Sequence, residues 1–401
     1  MEKYTVLIIG GGTAGISVAA GLKKADGKLR IGLIDPADNH FYQPLYTLVG
    51  AGADKAEKTK RPMSKVMPKG VDWIRSEVTS IDPEQNQLVA GDTEYGYEHL
   101  VVAPGLQIDW HLIEGLKETL GKNGVCSVYG YRESQDTWKM LKNFKGGRAI
   151  FTASWTPVKC GGAAQKVMYL TDAYMRKQGV RNRSEIEFIS SGTTVFAVKG
   201  FKETLQNLLT DRKINTRFHH DLFKVDGGTR TAWFRVHEPG KEEHVIEEKF
   251  DFLHVVPPQS APDFIKNSPL AKQEAKGKGW LEVDKYTLRH IRYPNVYGLG
   301  DVAGLPTAKT GAAIRKQAPV VIDQLIRSIK GDKNKGAEYN GYSACPILTD
   351  YKHVLLAEFG YDNKPMPSFP IDTTKPRVSM YILKHYLLPW FYWNRMLKGN
   401  F

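Results

Sequence analysis

Residues 4–24 read YTVLIIGGGTAGISVAAGLKK, and this stretch decides the fold. An apolar strand runs into a glycine-rich turn, and a helix follows from about Ile16. Gly10, Gly12 and Gly15 occupy the three glycine positions of the G-x-G-x-x-G pattern. In that pattern the first glycine makes the tight turn and the second lets a pyrophosphate approach the backbone. The third lets the helix pack closely on the strand. The stretch therefore predicts a dinucleotide-binding βαβ unit.

A second apolar strand supports this prediction. Residues 29–36, LRIGLIDP, lead to Asp35, which lies 20 residues after Gly15. An acidic side chain at that spacing accepts hydrogen bonds from the ribose hydroxyls of a dinucleotide. The free N–H groups at the N-terminus of the helix, together with its positive dipole end, attract the phosphates. Strand, glycines, helix, strand and acid thus follow one another in the order that nucleotide binding requires.

A later motif indicates which dinucleotide binds. Residues 293–304, YPNVYGLGDVAG, form a strand that ends near Gly300 and Asp301, and a helix-forming segment follows. The motif resembles the second FAD fingerprint of flavoproteins with two dinucleotide-binding domains, in which the acid bonds the ribityl chain. Residues 100–105, LVVAPG, resemble the crossover that returns the chain to the FAD domain in those proteins. The cofactor is therefore expected to be FAD; the alternative reading of Asp301 is a helix N-cap.

The middle of the chain carries a weaker version of the same pattern. Residues 184–199, SEIEFISSGTTVFAVK, predict a strand and a small-residue turn, but Ser190 and Thr194 stand where the first and third glycines are expected. Without those glycines the backbone cannot approach a pyrophosphate as closely. We expect a second Rossmann-like domain that has lost its nicotinamide site.

Composition narrows the class of protein and its partners. The chain has 401 residues, enough for two or three domains, and an excess of basic residues gives a formal net charge of +13. This charge indicates an anionic partner, either a lipid surface or an anionic substrate. Nucleic acid is not expected as a partner, because no zinc-finger or RNA-binding signature accompanies the charge. We find no signal or transit peptide, no apolar run long enough to span a bilayer and no metal-site pattern.

The three cysteines differ in their surroundings. Cys160 lies in WTPVKCGGAAQK, after a predicted strand and before a predicted helix, where helix N–H dipoles, Lys159 and Lys166 favour a thiolate. Cys345 lies in YSACPILTD, 185 residues further along the chain, so that only the fold can bring the two together. For either residue alone, a buried apolar thiol is the competing interpretation.

Four segments carry a specific resemblance: FYQPLYTLVGAG, TPVKCGGAAQKVMYL, LPTAKTGAA and SACPILTD. They resemble the sulfide:quinone oxidoreductase family, and the likeness runs in order along nearly the whole chain. It implies an FAD enzyme in which Cys160 and Cys345 form a redox pair beside the flavin. Hydrogen sulfide attacks the pair, one cysteine holds a persulfide or polysulfide sulfur, and two electrons pass to FAD and then to a membrane quinone. We assign Cys160 to the flavin side and Cys345 to the persulfide side.

The same resemblance extends to other residues and partners. It places Lys309 near the flavin, where a cation stabilises the anionic reduced form; a solvated loop lysine is the alternative. The partners it implies are hydrogen sulfide, a ubiquinone-like or menaquinone-like quinone, and a thiol or other sulfur nucleophile that accepts the sulfur. Cys126 is interpreted as an ordinary thiol, with a flavin-linked role left open. The oligomeric state is not determined, and a homo-oligomer is compatible with the sequence.

The C-terminal segment predicts contact with a membrane. Residues 378–401 are rich in aromatic residues and leucine, with Lys384, Arg395 and Lys398 interspersed. Aromatic rings and flanking cations suit the bilayer interface, so we expect a monotopic protein of the bacterial plasma membrane or the mitochondrial inner membrane. A helix packed inside the protein is the alternative. The residues assigned to the lipid-facing surface are Tyr386, Leu387, Leu388, Trp390, Phe391 and Trp393.

These predictions combine into one architecture. The fold class is α/β, with two Rossmann-like dinucleotide-binding domains and a membrane-associating C-terminal segment. Residues 1–110 and 251–340 are assigned to the FAD domain, residues 111–250 to the second domain and residues 341–401 to the C-terminal segment. Two other functions remain open: a type II NADH:quinone oxidoreductase, and a non-catalytic flavoprotein that senses sulfide or persulfide.

Overall fold

The computed structural model describes residues 1–275 and 277–401. Its strands, in chain order, are β1 Glu2–Ile9, β2 Ile31–Ile34, β3 Asn39–Phe41, β4 Lys60–Pro62, β5 Val71–Ile74, β6 Val78–Asp82, β7 Gln87–Ala90, β8 Thr93–Val102, β9 Gln107–Ile108, β10 Val125–Cys126, β11 Gly147–Ala153, β12 Ser184–Ser190, β13 Asn215–Arg217, β14 His220–Asp226, β15 Thr231–Val236, β16 His244–Lys249, β17 Phe252–His254, β18 Gln259–Ser260, β19 Val296–Gly298, β20 Ser343–Leu348 and β21 Val354–Phe359.

The helices vary from single turns to a helix of 19 residues. In chain order they are α1 Thr13–Ala25, α2 Tyr46–Gly50, α3 Met63–Val66, α4 Leu116–Thr119, α5 Tyr131–Asn143, α6 Ala163–Lys177, α7 Phe201–Asp211, α8 Asp263–Lys266, α9 Gly311–Ile329, α10 Val378–Ile382 and α11 Leu388–Asn394. A π-helical turn, Leu383–Leu387, joins the last two.

A seven-stranded sheet organises the first unit. Its order is β5-β2-β1-β8-β7-β6, and β19 also pairs with β8. Strands β5, β2, β1, β8 and β19 run parallel, whereas β7 and β6 are antiparallel additions. The strand from the second FAD motif therefore returns to the sheet that the first motif begins. All four residues of β2 are buried, as expected for a parallel strand covered on both faces.

A five-stranded parallel sheet, β10-β17-β11-β12-β13, forms the second unit. Between β13 and β17, the chain forms a three-stranded antiparallel sheet, β14-β15-β16. The α/β class with two Rossmann-like sheets is confirmed. The residue boundaries assigned to the domains remain a prediction.

The C-terminal segment packs on the first unit. Tyr392, Met396 and Leu397 belong to the same buried cluster as Val6 and Ile16. The Tyr392 hydroxyl lies 2.8 Å from Thr13 Oγ1 and 2.6 Å from His40 Nε2. This end of the chain is thus a structural part of the nucleotide-binding unit. No helix among residues 1–275 and 277–401 is long and apolar enough to cross a membrane.

Candidate active site

The glycine loop has the geometry that its sequence predicts. Gly10 has φ +97°, and a Cβ there would collide with the carbonyl oxygen of Ala103. A Cβ on Gly15 would collide with the carbonyl oxygen of Gly10, so only glycine lets α1 pack this closely on β1. A Cβ on Gly12 would meet no protein atom within 4 Å, and Gly12 lines a large cavity. The packing thus requires glycine at Gly10 and Gly15, and the role of Gly12 toward a pyrophosphate stays a prediction.

Asp35 lies next to this loop. Its Oδ2 accepts a hydrogen bond from Gly11 N at 2.6 Å, and its Oδ1 accepts one from Ala37 N at 2.8 Å. These bonds fix the carboxylate at the end of β2, where a ribose is expected. Burial raises the pKa of Asp35, and its two backbone hydrogen bonds oppose that rise.

One cavity of about 550 Å³ connects three parts of the chain. The glycine loop and the ends of β8 and β19 line its first part, and the cysteine loop before α6 lines the second. The third part is formed by β20, β21 and the C-terminal segment. Residues that line the cavity include Gly12, Cys160, Lys166, Asp301, Lys309, Arg315, Lys316, Tyr342, Ala344, Glu358, Ser368, Phe369, Leu383, Lys384, Leu388 and Phe391. The fold therefore brings the glycine motif, Cys160 and the aromatic C-terminus to one space.

Asp301 and Lys309 lie on the loop between β19 and α9. Lys309 Nζ donates to the backbone oxygens of Asp301 and Ala303 at 2.6 and 2.9 Å, and it lies 3.8 Å from the ring centroid of Trp280. Burial lowers the pKa of Lys309 to about 8. In this conformation the Lys309 ammonium holds the loop together, a contact that the sequence does not reveal.

The lining of the cavity fits FAD. Among the described residues, no hydrogen-bond donor contacts the Asp301 carboxylate. This acceptor is therefore available to ribityl hydroxyls. Burial raises the pKa of Asp301. Gly12 leaves room for a phosphate at the N-terminus of α1, where the backbone N–H groups are unpaired. Gly300 has φ +77°, and its N–H is held by Gln317 at 2.9 Å. FAD is the cofactor that these residues are suited to bind.

The loop that carries Cys160 is held in an unusual backbone conformation. Cys160 has φ +49°, a left-handed conformation that non-glycine residues adopt at a cost. Its N–H donates to Lys309 O at 2.9 Å, while its carbonyl accepts from Ala163 N at 2.8 Å and from the Tyr129 hydroxyl at 3.3 Å. These contacts present the sulfur at the N-terminus of α6 and tie it to the second FAD motif.

Cys160, Cys345 and Lys166 form a compact group. Lys166 Nζ lies 3.2 Å from Cys160 Sγ, and a Cβ placed on Gly162 would lie 2.8 Å from Cys345 Sγ. A hydrogen bond from Cys345 and the Lys166 ammonium hold the pKa of Cys160 well below its ordinary value. The same hydrogen bond, together with burial, raises the pKa of Cys345. Both cysteines are free thiols in this structure.

Cys126 is different. It lies in β10, is 1% exposed and does not line the cavity. Burial raises its pKa to about 12, so its thiolate is not formed near neutral pH. The geometry agrees with the interpretation of Cys126 as an ordinary buried thiol.

Lys384 lies where the sequence did not predict it. It was expected among the cations at a lipid surface, but it is 2% exposed, and its Nζ donates to Pro44 O at 2.7 Å inside the cavity wall. The π-helical turn redirects this side chain inward, because the extra residue in the turn shifts the helical register. Burial and the charge of Lys166 lower the pKa of Lys384 to about 7.

The residues assigned to the lipid surface divide into three groups. Tyr386, Leu387 and Trp390 are exposed by 59%, 54% and 59%. Leu388 and Phe391 are partly buried and line the cavity. Trp393 differs from the expectation: it is buried beneath the Arg61 guanidinium, which lies 4.6 Å from the centroid of its ring. Trp393 therefore does not belong to the exposed surface of the C-terminal segment.

The middle motif differs from the glycine loop of the first unit. After β12, the chain passes through ten residues, 191–200, before α7 begins at Phe201. Gln165 Nε2 donates to Val195 O at 2.5 Å, so part of this loop is anchored to α6. The N-terminus of α7 consequently does not follow a tight turn, as a pyrophosphate site requires.

Several known proteins have sequences similar to this chain. The family model for pyridine nucleotide-disulphide oxidoreductases matches residues 4–321. The mitochondrial sulfide:quinone oxidoreductase of Mus musculus is 40% identical over 399 residues, which cover 99% of this chain and 87% of the mouse protein. The mitochondrial protein of the same description from Dictyostelium discoideum is 41% identical over 398 residues, which cover 98% of this chain and 86% of that protein.

A solved structure extends the likeness to the fold. The crystal structure of the sulfide:quinone oxidoreductase from Aquifex aeolicus superimposes with a TM-score of 0.83 at 21% identity. The match covers 100% of this chain and 92% of the Aquifex chain.

Proposed function

This chain belongs to the pyridine nucleotide-disulphide oxidoreductase family and, within it, to the sulfide:quinone oxidoreductases, and from that premise we propose how its residues act. It is an FAD-dependent enzyme that oxidises sulfide and uses a quinone as electron acceptor. The observation that carries the assignment of residues is the single cavity of about 550 Å³ that joins the glycine loop to Cys160.

The first unit would hold the cofactor. Gly10, Gly12 and Gly15 would shape the phosphate site, Asp35 would bind the ribose, and Gly300 and Asp301 would bind the ribityl end. When bound, FAD supplies an isoalloxazine ring that takes two electrons from the sulfur centre and gives them to the quinone. Lys309 contributes by holding the loop of Asp301 and, through its carbonyl oxygen, the N–H of Cys160 at 2.9 Å.

The sulfur chemistry belongs to Cys160 and Cys345. Hydrosulfide attacks the bridged form of the pair, so one new S–S bond forms and the bond between the cysteines breaks. The products are a persulfide on Cys345 and a thiolate on Cys160. The thiolate is stabilised by the Lys166 ammonium at 3.2 Å and by the N-terminus of α6. Cys160 lines the cavity, which supports its place on the flavin side.

The persulfide sulfur then passes to a nucleophile from solution. Lys166 and Lys384 lie near the cysteines, and the ammonium charge of each lowers the pKa of Cys160. Such surroundings favour an anionic acceptor, for example a thiolate. Transfer leaves Cys345 as a thiolate or thiol, and the persulfide sulfur leaves on the acceptor as a new persulfide. Both cysteines are then in the reduced state that must lose two electrons before the next turnover.

The quinone reaches the site from a lipid surface. We define the apolar strip as Val378, Ile382, Tyr386, Leu387 and Trp390, which are all exposed by 47% or more. Leu383, Leu388 and Phe391 lie in the same segment and line the cavity. An apolar quinone that enters along the strip therefore passes directly to the cavity lining. Exposed aromatic and aliphatic side chains in this number fit a bilayer interface.

A basic segment borders the apolar strip. Residues 55–69 contain six lysines and arginines but a single acid, Glu57. Asp54, which directly precedes the segment, lies 3.0 Å from His385, and Arg61 lies over Trp393. Cations beside an inserted apolar surface strengthen binding to anionic lipid. We therefore propose a monotopic association with a mitochondrial membrane, because the names of the mouse and Dictyostelium relatives place those proteins in mitochondria. That the protein forms a homo-oligomer stays a prediction.

The NADH:quinone oxidoreductase alternative is not favoured. The loop of residues 191–200 lacks the tight glycine turn, and the cysteine pair has no role in hydride transfer from NADH. The sensor alternative is not favoured either, because a sensor that does not reduce quinone has no need of the apolar strip. In that strip, Tyr386 and Trp390 are each 59% exposed.

The first test is anaerobic absorbance spectroscopy of the purified FAD-loaded protein. Sulfide should bleach the flavin absorbance or produce a long-wavelength charge-transfer band, and a soluble quinone should restore the oxidised spectrum. A flavin that is bleached by NADH but not by sulfide would establish the NADH oxidoreductase. Bleaching by sulfide without steady-state quinone reduction would favour the sensor.

A second test concerns the membrane. Leu387→Ser combined with Trp390→Ser should reduce sedimentation with liposomes that contain anionic phospholipid and slow the reduction of a long-chain quinone. Ile291→Ser combined with Val245→Ser is the matched control, because Ile291 and Val245 are 66% and 54% exposed and lie outside the strip. Equal sedimentation of both variants and the unaltered protein would disprove the membrane surface. Point changes are preferable to deletion of residues 378–401, since Tyr392, Met396 and Leu397 are part of the core.

A further inference from the structure

The β20–β21 hairpin separates two sides of the site. Residues alternate between the faces of a strand. Cys345 and Ala357 lie on the face that packs with the second unit. Their strand neighbours Ala344 and Glu358, which pair with each other in the register, lie on the other face and line the cavity. The persulfide cysteine and the cavity wall are thus opposite faces of one hairpin.

Glu358 is an unusual residue for a cavity wall. Glu358 is only 3% exposed. Among the described residues, its carboxylate forms no salt bridge. Its Oε1 accepts hydrogen bonds from the Tyr342 hydroxyl and from Ser368 Oγ, both at 2.6 Å. Its Oε2 accepts a hydrogen bond from Ser368 N at 2.9 Å. Three donors therefore replace the water that an ionised carboxylate loses on burial.

A carboxylate accepts from all three donors at once. An ionised glutamate is purely an acceptor, whereas a glutamine of the same shape has one acceptor oxygen and an NH₂ group with two donors. The NH₂ group of a glutamine would face either Ser368 N or the two hydroxyls. If the NH₂ group faced the two hydroxyls, it would donate to oxygens that now donate to Glu358, so both hydroxyl hydrogens would need other acceptors. Glutamine therefore loses the charge-assisted hydrogen bonds of Glu358, although it has the same shape.

The bonds of Glu358 fix a loop at the cavity. Ser368 precedes Phe369, and both residues line the cavity. The backbone strengthens the contact, because Met366 N donates to Glu358 O at 2.9 Å and Pro365 bridges to Phe359. Phe369 is 37% exposed, so a large part of its ring is not packed against the protein. The position of this ring depends on the hydrogen bonds of the residue beside it.

Tyr342 extends the same wall. Its ring lies 5.8 Å from both the Arg315 guanidinium and the Lys316 ammonium, measured from the ring centroid, and all three residues line the cavity. Aromatic rings and cations around an apolar space are suited to a flat, polar-edged molecule such as a quinone head group.

We propose that Glu358, through Ser368 and Tyr342, is a positioning residue for the quinone. It holds Phe369 and the Tyr342 ring as the quinone-side wall of the cavity, and it takes no part in the chemistry of Cys345 on the other face of the hairpin. The proposal rests on the quinone reaction proposed above. It predicts that a change at Glu358 separates the two half-reactions.

The experiment compares Glu358→Gln, Ser368→Ala and the control Lys364→Ala, which lies exposed in the same loop and does not line the cavity. For Glu358→Gln, the KM for a short-chain quinone should rise about tenfold with kcat changed less than twofold, since losing charge-assisted hydrogen bonds shifts an equilibrium by roughly that factor. Ser368→Ala should raise the KM for the same quinone about threefold. The rate of anaerobic flavin bleaching by sulfide should be unchanged in all three.

Two readouts do not depend on turnover. Fluorescence titration with the quinone should show weaker binding in the same order, and amide hydrogen exchange of residues 364–371 should become faster in Glu358→Gln but not in Lys364→Ala. An unchanged KM and unchanged quinone binding in both Glu358→Gln and Ser368→Ala would overturn the proposal, as would equal slowing of both half-reactions. If Glu358→Gln does not fold, Ser368→Ala decides.

Failure of the proposed function has a different signature. In that case the unaltered protein itself does not respond to sulfide or does not reduce quinone. Failure of the Glu358 proposal leaves the unaltered protein active and the variants indistinguishable from it.

Discussion

The two Rossmann-like units use the same topology for different chemistry. In the first, β1 and α1 are joined by a short glycine turn whose Gly12 leaves space for a phosphate. In the second, β12 and α7 are joined by ten residues, 191–200, without that turn. The second unit instead presents a cysteine in the preceding connection, where β11 leads through Cys160 to α6. Both active connections lie at the carboxyl ends of parallel strands, where α/β sheets bind ligands.

On the function proposed above, the fold of the second unit is retained while its nucleotide ligand is replaced by sulfur chemistry. A nucleotide site needs several glycines at fixed spacing, because the pyrophosphate approaches the backbone itself. The proposed sulfur site needs two cysteines and a cation, and the loop before α6 supplies only the first cysteine while β20 supplies the second. The predictions below separate the nucleotide role of the first unit from the sulfur role of the second.

The largest effect is expected from the cysteines. Cys160→Ser or Cys345→Ser should lower sulfide-driven quinone reduction by about 1,000-fold or more, because the covalent pathway is lost. FAD should stay bound, since neither residue holds it. Cys126→Ser is the control and should keep near-normal turnover. Turnover close to normal in both active-site variants would contradict the assignment of the pair, and steady-state assays with measured FAD content decide between these outcomes.

The glycine loops give the next largest effect. Gly12→Ala should weaken FAD binding roughly 10- to 100-fold, because the new methyl group occupies the space of a phosphate. The apoprotein should keep its stability, since that methyl group meets no protein atom within 4 Å. Gly192→Ala, in the loop after β12, should leave FAD affinity unchanged. Fluorescence titration of the apoproteins with FAD measures both, and equal affinities would show that the first loop is not the phosphate site.

Lys166 tests the electrostatics of the sulfur side. Lys166→Met should raise the pKa of Cys160, since the ammonium at 3.2 Å stabilises the thiolate. Alkylation of the reduced protein by iodoacetamide should then require a higher pH and be about tenfold slower near neutral pH. Lys159→Met is the matched control, because Lys159 Nζ donates to Gln43 Oε1 at 2.7 Å and not to sulfur. A similar pH dependence in both variants would rule out Lys166 as the stabilising cation.

The smallest effect concerns stability at Lys384. Its pKa is 10.5 in the unfolded chain and about 7 in the folded protein. Between these values the unfolded state binds more protons, so the free energy of unfolding rises with pH, by about 1.4 kcal/mol per unit at most. Lys384→Met lacks this slope. The variant should therefore be the more stable protein near pH 7, and its advantage should shrink by about 2–3 kcal/mol towards pH 9.

Denaturant unfolding of both proteins at several pH values checks this prediction. Parallel curves for the unaltered protein and the variant would mean that Lys384 stays protonated in the fold.

Much of the first unit could be predicted because its signal is local. Gly10, Gly12, Gly15 and Asp35 act within one βαβ unit, where spacing along the chain fixes spacing in the fold. The helix after Asp301 and the helix after Cys160 were likewise readable from patterns of apolar residues. The buried Trp393 was predicted on the wrong side, because composition alone does not tell which face of a short helix packs on the core.

The sequence by itself determined the α/β fold and FAD as the cofactor, and it placed a cysteine just before a helix N-terminus, since each depends on residues close together in the chain. Only the tertiary structure decided that Cys345 and Lys384 lie near Cys160 and that Lys309 holds the cysteine loop. These contacts join segments more than 100 residues apart or depend on a single π-helical turn, and neither leaves a periodic pattern in the sequence.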